Sequence, residues 1–401
     1  MAKSNFMWSG AKLFATAQRC IRCGSVYAPN DPTLVCNSCG SPLDIEYNLD
    51  KIRERTRESL NDRTRSLWRF KEFLPITKTE SIVSLQEGMT PVNAAARYGE
   101  TIGVKQLFLK LDYLNPTGSF KDRGNSVNVS RLRELNVTSV IEDSSGNAGS
   151  SLAAYCANAA IHCTLYVPEY TVQEKLVQAQ IYGAEIVRIP GSRTDVARAA
   201  EKAWKTSGKY YASHNLSPFF FEGMKTVAYE IASDLSWNVP DHVVFPVGGG
   251  GLMAGTWKGF KELVALGWVS KLPKFHCVQS DACMPIVEAY DKKLEAITPF
   301  AEKETIAGGI RISNPARGSQ VLQAVRASHG VALSVSDGTI LRQQRLLART
   351  EGIFAEPTSC AALAGLEKLR EMGEVGSDET VVVPLTGFGL KDTKSAAIEV
   401  H

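Results

Sequence analysis

Short apolar runs alternate with segments of helical period from about residue 80 to the end of the chain. The runs are apolar or alternate between apolar and polar residues, which predicts β-strands, whereas intervening segments such as SSLAAYCANAA and EKLVQAQIYG predict helices. The predicted strands are LFLKLDYL, TSVIEDSS, CTLYVPE, AEIVRIPG, KYYASH, DHVVFPVG, KFHCVQS and ETVVVPLTG. Because strands that alternate with helices form parallel sheets covered on both faces, the pattern predicts an α/β fold.

A different pattern occupies residues 41 to about 80, where charged residues recur at helical spacing in DKIRERTRESLNDRTRSLWRFKEFL. This spacing predicts a solvated helix that leads into the body of the protein. The full length of 401 residues exceeds the size at which one hydrophobic core keeps growing. We therefore expect two core domains.

Composition and charge narrow the possible functions. Apolar residues make up 44% of the chain and charged residues 22%, which is ordinary for a globular protein. The net charge of +3 comes with no basic stripe, so we expect neither a nucleic-acid partner nor a membrane partner. Since no stretch has the length and hydropathy of a signal peptide or a bilayer span, we expect a cytoplasmic protein.

Four of the nine cysteines form two CxxC pairs in the segment CIRCGSVYAPNDPTLVCNSC. Cys20 and Cys23 form the first pair, Cys36 and Cys39 form the second, and a glycine follows each pair. Four thiolates at this spacing predict a closed, tetrahedral, structural zinc site, with reduced and unliganded thiols as the alternative. We expect this zinc ribbon to be an appendage. The other five cysteines lie in apolar segments, which suits a reducing compartment.

The segment NPTGSFKDRG, residues 115–124, connects the first predicted strand to a helix. It turns at Pro116 and Gly118 and then places Lys121 directly after Phe120. A lysine in this position can be desolvated, which lowers its pKa and makes it a nucleophile. Because open parallel sheets bind ligands at the carboxyl ends of their strands, we predict that Lys121 is a reactive group.

Two further strand ends carry small residues that can bind anions. In EDSSGNAGSS, the residues Ser144, Ser145, Gly146 and Asn147 lie where a strand ends and a helix begins, which suits a carboxylate. In FPVGGGGLMAG, four consecutive glycines let backbone amides approach a phosphate closely, although a tight structural turn is the alternative. The run matches neither the dinucleotide fingerprint nor a P-loop. Its members are Gly248, Gly249, Gly250 and Gly251.

A fourth strand end, in VVVPLTGFGLKD, places the neutral hydroxyl of Thr386 between apolar residues and a glycine turn. A lone buried threonine is usually only a capped hydroxyl. Together, however, a reactive lysine, a phosphate cradle, a carboxylate site and a neutral hydroxyl describe an enzyme that holds pyridoxal phosphate as a Schiff base.

Several motifs resemble those of the threonine synthases, a fold type II pyridoxal-phosphate family related to the tryptophan synthase β subunit. They are NPTGSFKDRG, SSGN, the glycine run, EGIFAEPTS and PLTGFGLKD, together with SLQEGMTP and SLWRFKEFLP upstream. The likeness covers about residues 65 to 395, and the cysteine ribbon occurs in some relatives. It implies a zinc ribbon over residues 1–48, a large cofactor domain over 49–120 and 226–401, and a smaller α/β domain over 121–225.

The resemblance also implies roles for the residues at the strand ends. Lys121 is expected to form the Schiff base and to move protons at Cα and Cβ, while Asn147 bonds the 3'-hydroxyl of the cofactor ring. The hydroxyl of Thr386 is expected to face the pyridine nitrogen, and the glycine run to hold the cofactor phosphate. The residues expected to bind the substrate carboxylate are Ser144, Ser145 and Gly146.

The implied reaction converts the small molecule O-phospho-L-homoserine and water to L-threonine and phosphate, in a homodimeric cytoplasmic enzyme. Two residues depart from the family pattern: Phe220 stands where an arginine would bind the substrate phosphate, and Ala148 replaces a threonine. Substitute cations are Lys175, Lys225 and Arg317, each expected to be a solvated surface charge. The alternatives are a cysteate synthase, a serine or threonine dehydratase, or an inactive zinc-ribbon binding protein.

Overall fold

Three separate β-sheets form the framework of residues 14–55, 57–60 and 62–397, which the computed structural model describes. The strands in these ranges are β1 (Ala15–Cys20), β2 (Val26–Tyr27), β3 (Leu43–Tyr47), β4 (Val92–Ala94), β5 (Gln106–Lys110), β6 (Ser139–Glu142), β7 (His162–Pro168), β8 (Glu185–Ile189), β9 (Tyr210–Tyr211), β10 (His242–Pro246), β11 (Lys274–Ser280), β12 (Ala332–Val335) and β13 (Thr380–Pro384).

Helices connect most of the strands after β4. In the described ranges they are α1 (Leu49–Arg53), α2 (Ala96–Ile102), α3 (Lys121–Glu134), α4 (Asn147–Ala159), α5 (Val177–Ile181), α6 (Arg193–Ser207), α7 (Pro218–Met224), α8 (Thr226–Asp234), α9 (Gly251–Ala265), α10 (Pro285–Asp291), α11 (Gly318–Ala327), α12 (Asp337–Glu351), α13 (Pro357–Glu371) and α14 (Thr393–Ala396).

The largest sheet has six strands in the order β12, β11, β10, β13, β5, β4, and all of its pairings are parallel except that of the edge strand β4. Strands β10, β13 and β5 are neighbours in this sheet. The glycine run, Thr386 and Lys121 follow these three strands along the chain. Parallel pairing therefore brings all three segments to one edge of the sheet.

Both faces of this sheet are covered, as alternation along β10 shows. Val243 and Phe245 belong to one buried apolar cluster, whereas Val244 between them belongs to another. Helix α13 contributes to the second cluster through residues such as Leu363, and helix α9 contributes to the first through residues such as Phe260. The predicted α/β fold with helices on both faces is confirmed.

The second sheet has four parallel strands in the order β8, β7, β6, β9. The SSGN segment leaves the carboxyl end of β6 and leads into α4. The core around this four-stranded sheet is a third apolar cluster that includes Val140, Leu165 and Leu152. The third sheet is antiparallel and has the order β2, β1, β3; Cys20 ends β1, and the other three N-terminal cysteines lie in the turns between its strands.

Several local predictions are wrong. The solvated helix expected over residues 41 to about 80 is instead the short helix α1 followed by isolated 3-10 turns, and Phe70 and Phe73 in this segment are buried against the ring of Tyr229. Aromatic packing therefore overrides the helical spacing of the charges. The predicted strand KYYASH shortens to the two residues of β9, and a 3-10 turn precedes α5 in EKLVQAQIYG.

The cysteine-bearing sheet does not behave as the expected appendage. Its strand β3 packs against α7, and the ammonium of Lys258 in α9 contacts the carboxylates of Asp44 and Glu222. The guanidinium of Arg317 donates to the carbonyl of Leu43 at 3.0 Å. Buried polar contacts thus attach the ribbon to the large sheet's helices.

No helix in the described part of the chain has the length and hydropathy needed to cross a bilayer. Helices such as α6, α9, α12 and α13 have 15 residues. A membrane span needs about 20 predominantly apolar residues.

Candidate active site

Lys121 is the first residue of α3, and the loop before it is held by hydrogen bonds. The backbone N–H and the hydroxyl of Thr117 donate to the two carboxylate oxygens of Asp122 at 2.7 and 2.5 Å. The N–H of Phe120 donates to the carbonyl of Thr386 at 2.9 Å. A carboxylate in the first turn of a helix also complements the helix dipole. The loop is therefore fixed to the end of β13, with the lysine at its tip.

The Lys121 amine lies beside two aromatic rings and makes no ion pair among the described residues. Its Nζ is 4.8 Å from the ring centroid of Phe120 and 5.9 Å from that of Phe220. Burial lowers the pKa of Lys121 to about 8, while the carboxylates of Glu142 and Glu356 oppose the shift. Such a lysine can exchange protons near neutral pH.

Asn147 begins α4, and its side-chain amide donates to the Glu356 carboxylate at 3.1 Å. Before it, Ser144 is buried, Ser145 is partly buried and Gly146 is exposed. The carbonyl of Ser144 would lie 2.2 Å from a side chain at Gly149, so the loop packs tightly on the first turn of the helix. The open N-terminus of α4 suits the predicted carboxylate, and the binding roles of these residues stay predictions.

The glycine run lies between β10 and α9, and three of its members leave no room for a side chain. A Cβ would lie 2.8 Å from the carbonyl oxygen of Gly309 if built on Gly248, and 2.7 Å from the Asn215 side chain if built on Gly249. Gly250 has a φ of +89° and Gly251 begins the helix. In the described structure, the four amides donate to no backbone carbonyl. They can therefore bind a phosphate at the helix N-terminus.

We expect Gly250→Ala to weaken cofactor binding. The new Cβ would lie 2.9 Å from Val321 in a left-handed backbone conformation that L residues rarely adopt, so the loop must move. A strain of about 1–3 kcal/mol corresponds to a dissociation constant roughly 5- to 150-fold higher. Titration of the cofactor-free protein with pyridoxal phosphate measures the change, and Gly183→Ala, also at positive φ but in open space, is the matched control.

Thr386 is buried just beyond β13, and its hydroxyl lies 3.0 Å from the hydroxyl of Ser359 in α13. The Ser359 hydroxyl also accepts from the N–H groups of Thr386 and Gly387 at 2.9 Å. These contacts hold the threonine side chain in one position beside the lysine loop. Its predicted role at the cofactor ring nitrogen stays a prediction.

Phe220 lies in the site, whereas the side-chain charges of Lys225 and Arg317 have other partners, although the backbone N–H of Arg317 donates to the carbonyl of Gly249 at 3.1 Å. Phe220 is buried against α3, where a side chain at Gly124 would come within 2.5 Å of its ring. Lys225 is fully buried and ion-paired with carboxylates, and Arg317 is stacked at 3.6 Å on the ring of Phe221. The expectation of solvated charges is therefore wrong for both, because their partners are buried with them. The expectation of a solvated charge is confirmed for Lys175, which is exposed.

The structure adds three residues that sequence patterns did not single out. Glu356 is the buried partner of Asn147, and Glu142 and His214 form a contact of 3.1 Å near Lys121. Glu356 lies inside the motif EGIFAEPTS, and His214 ends the predicted strand KYYASH. Titratable groups at strand ends were the signal that could have identified Glu142 and His214, whereas Glu356 directly precedes α13.

The four ribbon cysteines come together in one cluster, with all four sulfurs within 4.8 Å of one another. The closest pairs are Cys20 with Cys39 at 3.4 Å and Cys23 with Cys36 at 3.5 Å. Sulfurs around a tetrahedral zinc ion at 2.3 Å would be about 3.8 Å apart. The turns Gly24 and Gly40 have positive φ, as the tight CxxC loops require.

The residues at the edge of the large sheet fit pyridoxal phosphate. The cradle of amides at the glycine run matches a phosphate, and the unpaired Lys121 amine is positioned to meet an aldehyde. The hydroxyl of Ser119, next to this loop, is buried without a hydrogen-bond partner. A buried, unsatisfied polar group signals a ligand that completes the site.

Comparison with known proteins agrees with this chemistry. The family model for pyridoxal-phosphate dependent enzymes matches residues 83–387. The chain is 42% identical over 381 residues to the threonine synthase of Methanocaldococcus jannaschii, covering 94% of each chain. It is 40% identical to the threonine synthase of Methanosarcina acetivorans, covering 94% of this chain and 92% of the relative.

Solved structures share the fold at lower identity. Threonine deaminase isoform 2 from Solanum lycopersicum has a TM-score of 0.67 at 20% identity, over 76% of this chain and 81% of that one. Serine racemase from Dictyostelium discoideum has a TM-score of 0.64 at 22% identity, over 81% of this chain and 99% of that one. The fold type II architecture is thereby confirmed, and the chain belongs to the pyridoxal-phosphate dependent enzyme family and, within it, to the threonine synthases.

Proposed function

We propose that this enzyme converts O-phospho-L-homoserine and water to L-threonine and phosphate. The observation that carries the proposal is the Lys121 amine, which forms no ion pair among the described residues, in a chain that is similar over most of its length to threonine synthases. The bound cofactor supplies an electron sink that stabilises negative charge on the substrate carbons.

The chain's own residues supply the binding and the proton transfers. The amides of the glycine run hold the cofactor phosphate, Asn147 and Thr386 orient its ring, and the SSGN loop binds the substrate carboxylate at the N-terminus of α4. With a pKa lowered to about 8, Lys121 removes the proton from Cα and returns protons to the substrate carbons. The rings of Phe120 and Phe220 keep water away from its amine.

An assay on four amino acids tests the proposed reaction. Purified enzyme is supplied with O-phosphohomoserine, phosphoserine, serine or threonine, and both phosphate and ammonia are measured. We expect equal amounts of phosphate and threonine from O-phosphohomoserine and no ammonia. Ammonia from serine or threonine, without phosphate release from O-phosphohomoserine, would show that the proposal is wrong.

One observation favours a second candidate, a relative that acts by β-replacement or β-elimination on a shorter or less charged amino acid. Phe220 lies 5.9 Å from the Lys121 amine, where the family pattern has arginine, and Lys225 and Arg317 are bound elsewhere. A phenyl ring lacks the charge-assisted hydrogen bonds of a guanidinium, each worth about 1.5–3 kcal/mol. The same assay distinguishes cysteate synthesis from phosphoserine and sulfite, or ammonia release by a dehydratase.

We propose that the ribbon binds one structural zinc ion through Cys20, Cys23, Cys36 and Cys39, because the sulfur cluster has tetrahedral dimensions. Cys36→Ser is then expected to lose the metal and lower the unfolding temperature. Metal analysis of the purified protein, with the core variant Cys277→Ala as control, checks the prediction. Equal zinc content in wild type and Cys36→Ser would contradict it.

Three broader features are also proposals. The domain boundaries follow the two large sheets, since β6 to β9 lie within 121–225 and the six-stranded sheet is built from residues on either side. Nine free cysteines support a reducing, cytoplasmic location. Family resemblance supports a homodimer, which sedimentation velocity can test.

A further inference from the structure

His214 and Glu142 form a hydrogen-bonded pair just beyond the carboxyl ends of β9 and β6, which are neighbouring parallel strands. The Nδ1 atom of His214 lies 3.1 Å from one carboxylate oxygen of Glu142, and the backbone N–H of His214 donates to the other at 3.0 Å. When Glu142 is ionised its carboxylate can only accept, so Nδ1 then carries the hydrogen and Nε2 presents a lone pair.

The pair lies beside the reactive lysine. The ring centroid of Phe220 is 6.0 Å from the imidazole centroid of His214 and 5.9 Å from the Nζ atom of Lys121. The two groups therefore lie near the same aromatic ring. The next residue, Asn215, approaches Gly249 in the glycine run. His214 is therefore near the charge of Lys121 and one residue from the contact with the glycine run, and its side chain is 13% exposed.

The charges around the imidazole keep it neutral. Burial and the positive charges of Lys121 and Arg193 lower the pKa of His214 well below its usual value, although Asp143 opposes them. Burial also raises the pKa of Glu142 to about 7. Among the described residues, His214 Nε2 has no hydrogen-bond partner. The imidazole therefore has a free lone pair that can accept a proton during the reaction, and the carboxyl group of Glu142 titrates near neutral pH.

We propose that Nε2 of His214, held in place by Glu142, accepts a proton from the water that adds to the substrate. The inference rests on the proposed threonine synthase reaction. Lys121 handles the protons on carbon, and a second group is needed because the added water must lose a proton while the lysine is occupied. Glu142 does not touch the substrate in this proposal; it orients the imidazole through its contacts with the backbone N–H and Nδ1 of His214.

The step balances as an addition of water across the double bond between Cα and Cβ of the substrate. A lone pair of the water oxygen forms the new C–O bond at Cβ, and one O–H bond breaks as its proton moves to Nε2. The displaced electron pair ends in a C–H bond at Cα with a proton from Lys121. The proton on Nε2 then passes to the phosphate released in the same turnover, which restores the neutral imidazole.

The test separates proton transfer at carbon from the addition of water. In deuterium oxide, His214→Asn is expected to exchange the Cα hydrogen of O-phosphohomoserine within about 3-fold of wild type, because Lys121 is intact, whereas threonine formation falls about 100-fold. The exposed His162→Asn is the matched control. Equal losses of exchange and of product would show that His214 is merely structural and would overturn the inference.

A second variant and a spectroscopic measurement address the pair itself. In Glu142→Gln, the pH at which kcat/KM is half of its maximum is expected to shift away from neutrality by at least about one unit. Nitrogen-15 shifts of His214, in protein without cofactor or substrate, are expected to show hydrogen on Nδ1 only. Hydrogen on Nε2, or an unchanged pH profile, would contradict the inference. If wild type makes no threonine the proposed function fails, whereas threonine formation at the wild-type rate by His214→Asn refutes this inference alone.

Discussion

Lys121→Met leaves the folded enzyme unable to turn over its substrate, with a loss of at least about 10⁴-fold. The methionine keeps the length of the side chain but removes both the amine that attaches the cofactor and the proton carrier at Cα, and one acid–base group alone is worth about 10²–10⁴-fold. Steady-state assays on O-phosphohomoserine measure the loss. Lys105→Met, which changes an exposed lysine just before β5, is the control.

The same substitution is expected to stabilise the cofactor-free protein. Burial lowers the pKa of Lys121 to about 8, so the unfolded chain binds this proton more tightly than the folded one. Below pH 8 the free energy of unfolding of the wild type is lowered by the full cost of burying the charged amine. This cost disappears as the pH rises toward 10.5, the ordinary pKa of lysine. At pH 7, Lys121→Met should therefore unfold at a higher temperature. A lower unfolding temperature with retained turnover would contradict the proposed role of the amine.

Arg123→Met is expected to produce the largest loss of stability, about 3–5 kcal/mol of unfolding free energy. Arg123 is fully buried in α3, and its guanidinium contacts Asp112 at 2.7 Å and Glu230 at 2.6 Å. Removing the arginine leaves two buried carboxylates with one remaining cation, Lys110, which lies 2.7 Å from Glu230. Chemical denaturation measures the change in unfolding free energy.

The control for Arg123 is Arg133→Met, an exposed position on the same helix, for which we expect a change within about 0.5 kcal/mol. Acid titration gives an independent check. Burial alone would raise the pKa of Glu230, but Arg123 and Lys110 lower it to about 2. This carboxylate contributes stability above its ordinary value of 4.5, and the contribution is lost as the pH falls toward 2. Equal denaturation midpoints for the two variants would show that the buried network is not stabilising.

The sequence could predict the sheets and the position of the reactive loops because the relevant signals are local. The apolar runs at β5, β10, β11 and β13 predict strands, the glycine run follows β10 closely, and Lys121 lies in the loop after β5. Parallel pairing then brings them to a common edge, a consequence of the fold class alone. The cysteine spacing was equally local, and the four sulfurs do cluster.

The features that escaped prediction depend on contacts between distant segments. Phe70 and Phe73 are buried by Tyr229, more than 150 residues away along the chain, which no charge spacing within 41–80 indicates. Arg317 and Lys225 were expected in solvent because single basic residues usually are, yet buried carboxylates, carbonyls and rings surround them. Long-range pairing of polar groups has no periodic signature in the sequence.

Reduction of the purified holoenzyme with borohydride, followed by proteolysis and mass spectrometry, identifies the lysine that carries the cofactor. We expect a pyridoxyl group on Lys121 and on no other lysine, with wild-type labelling of the Lys105→Met control and none of Lys121→Met. A pyridoxyl group on another lysine, or an unlabelled Lys121 in enzyme that still makes threonine, would contradict this expectation.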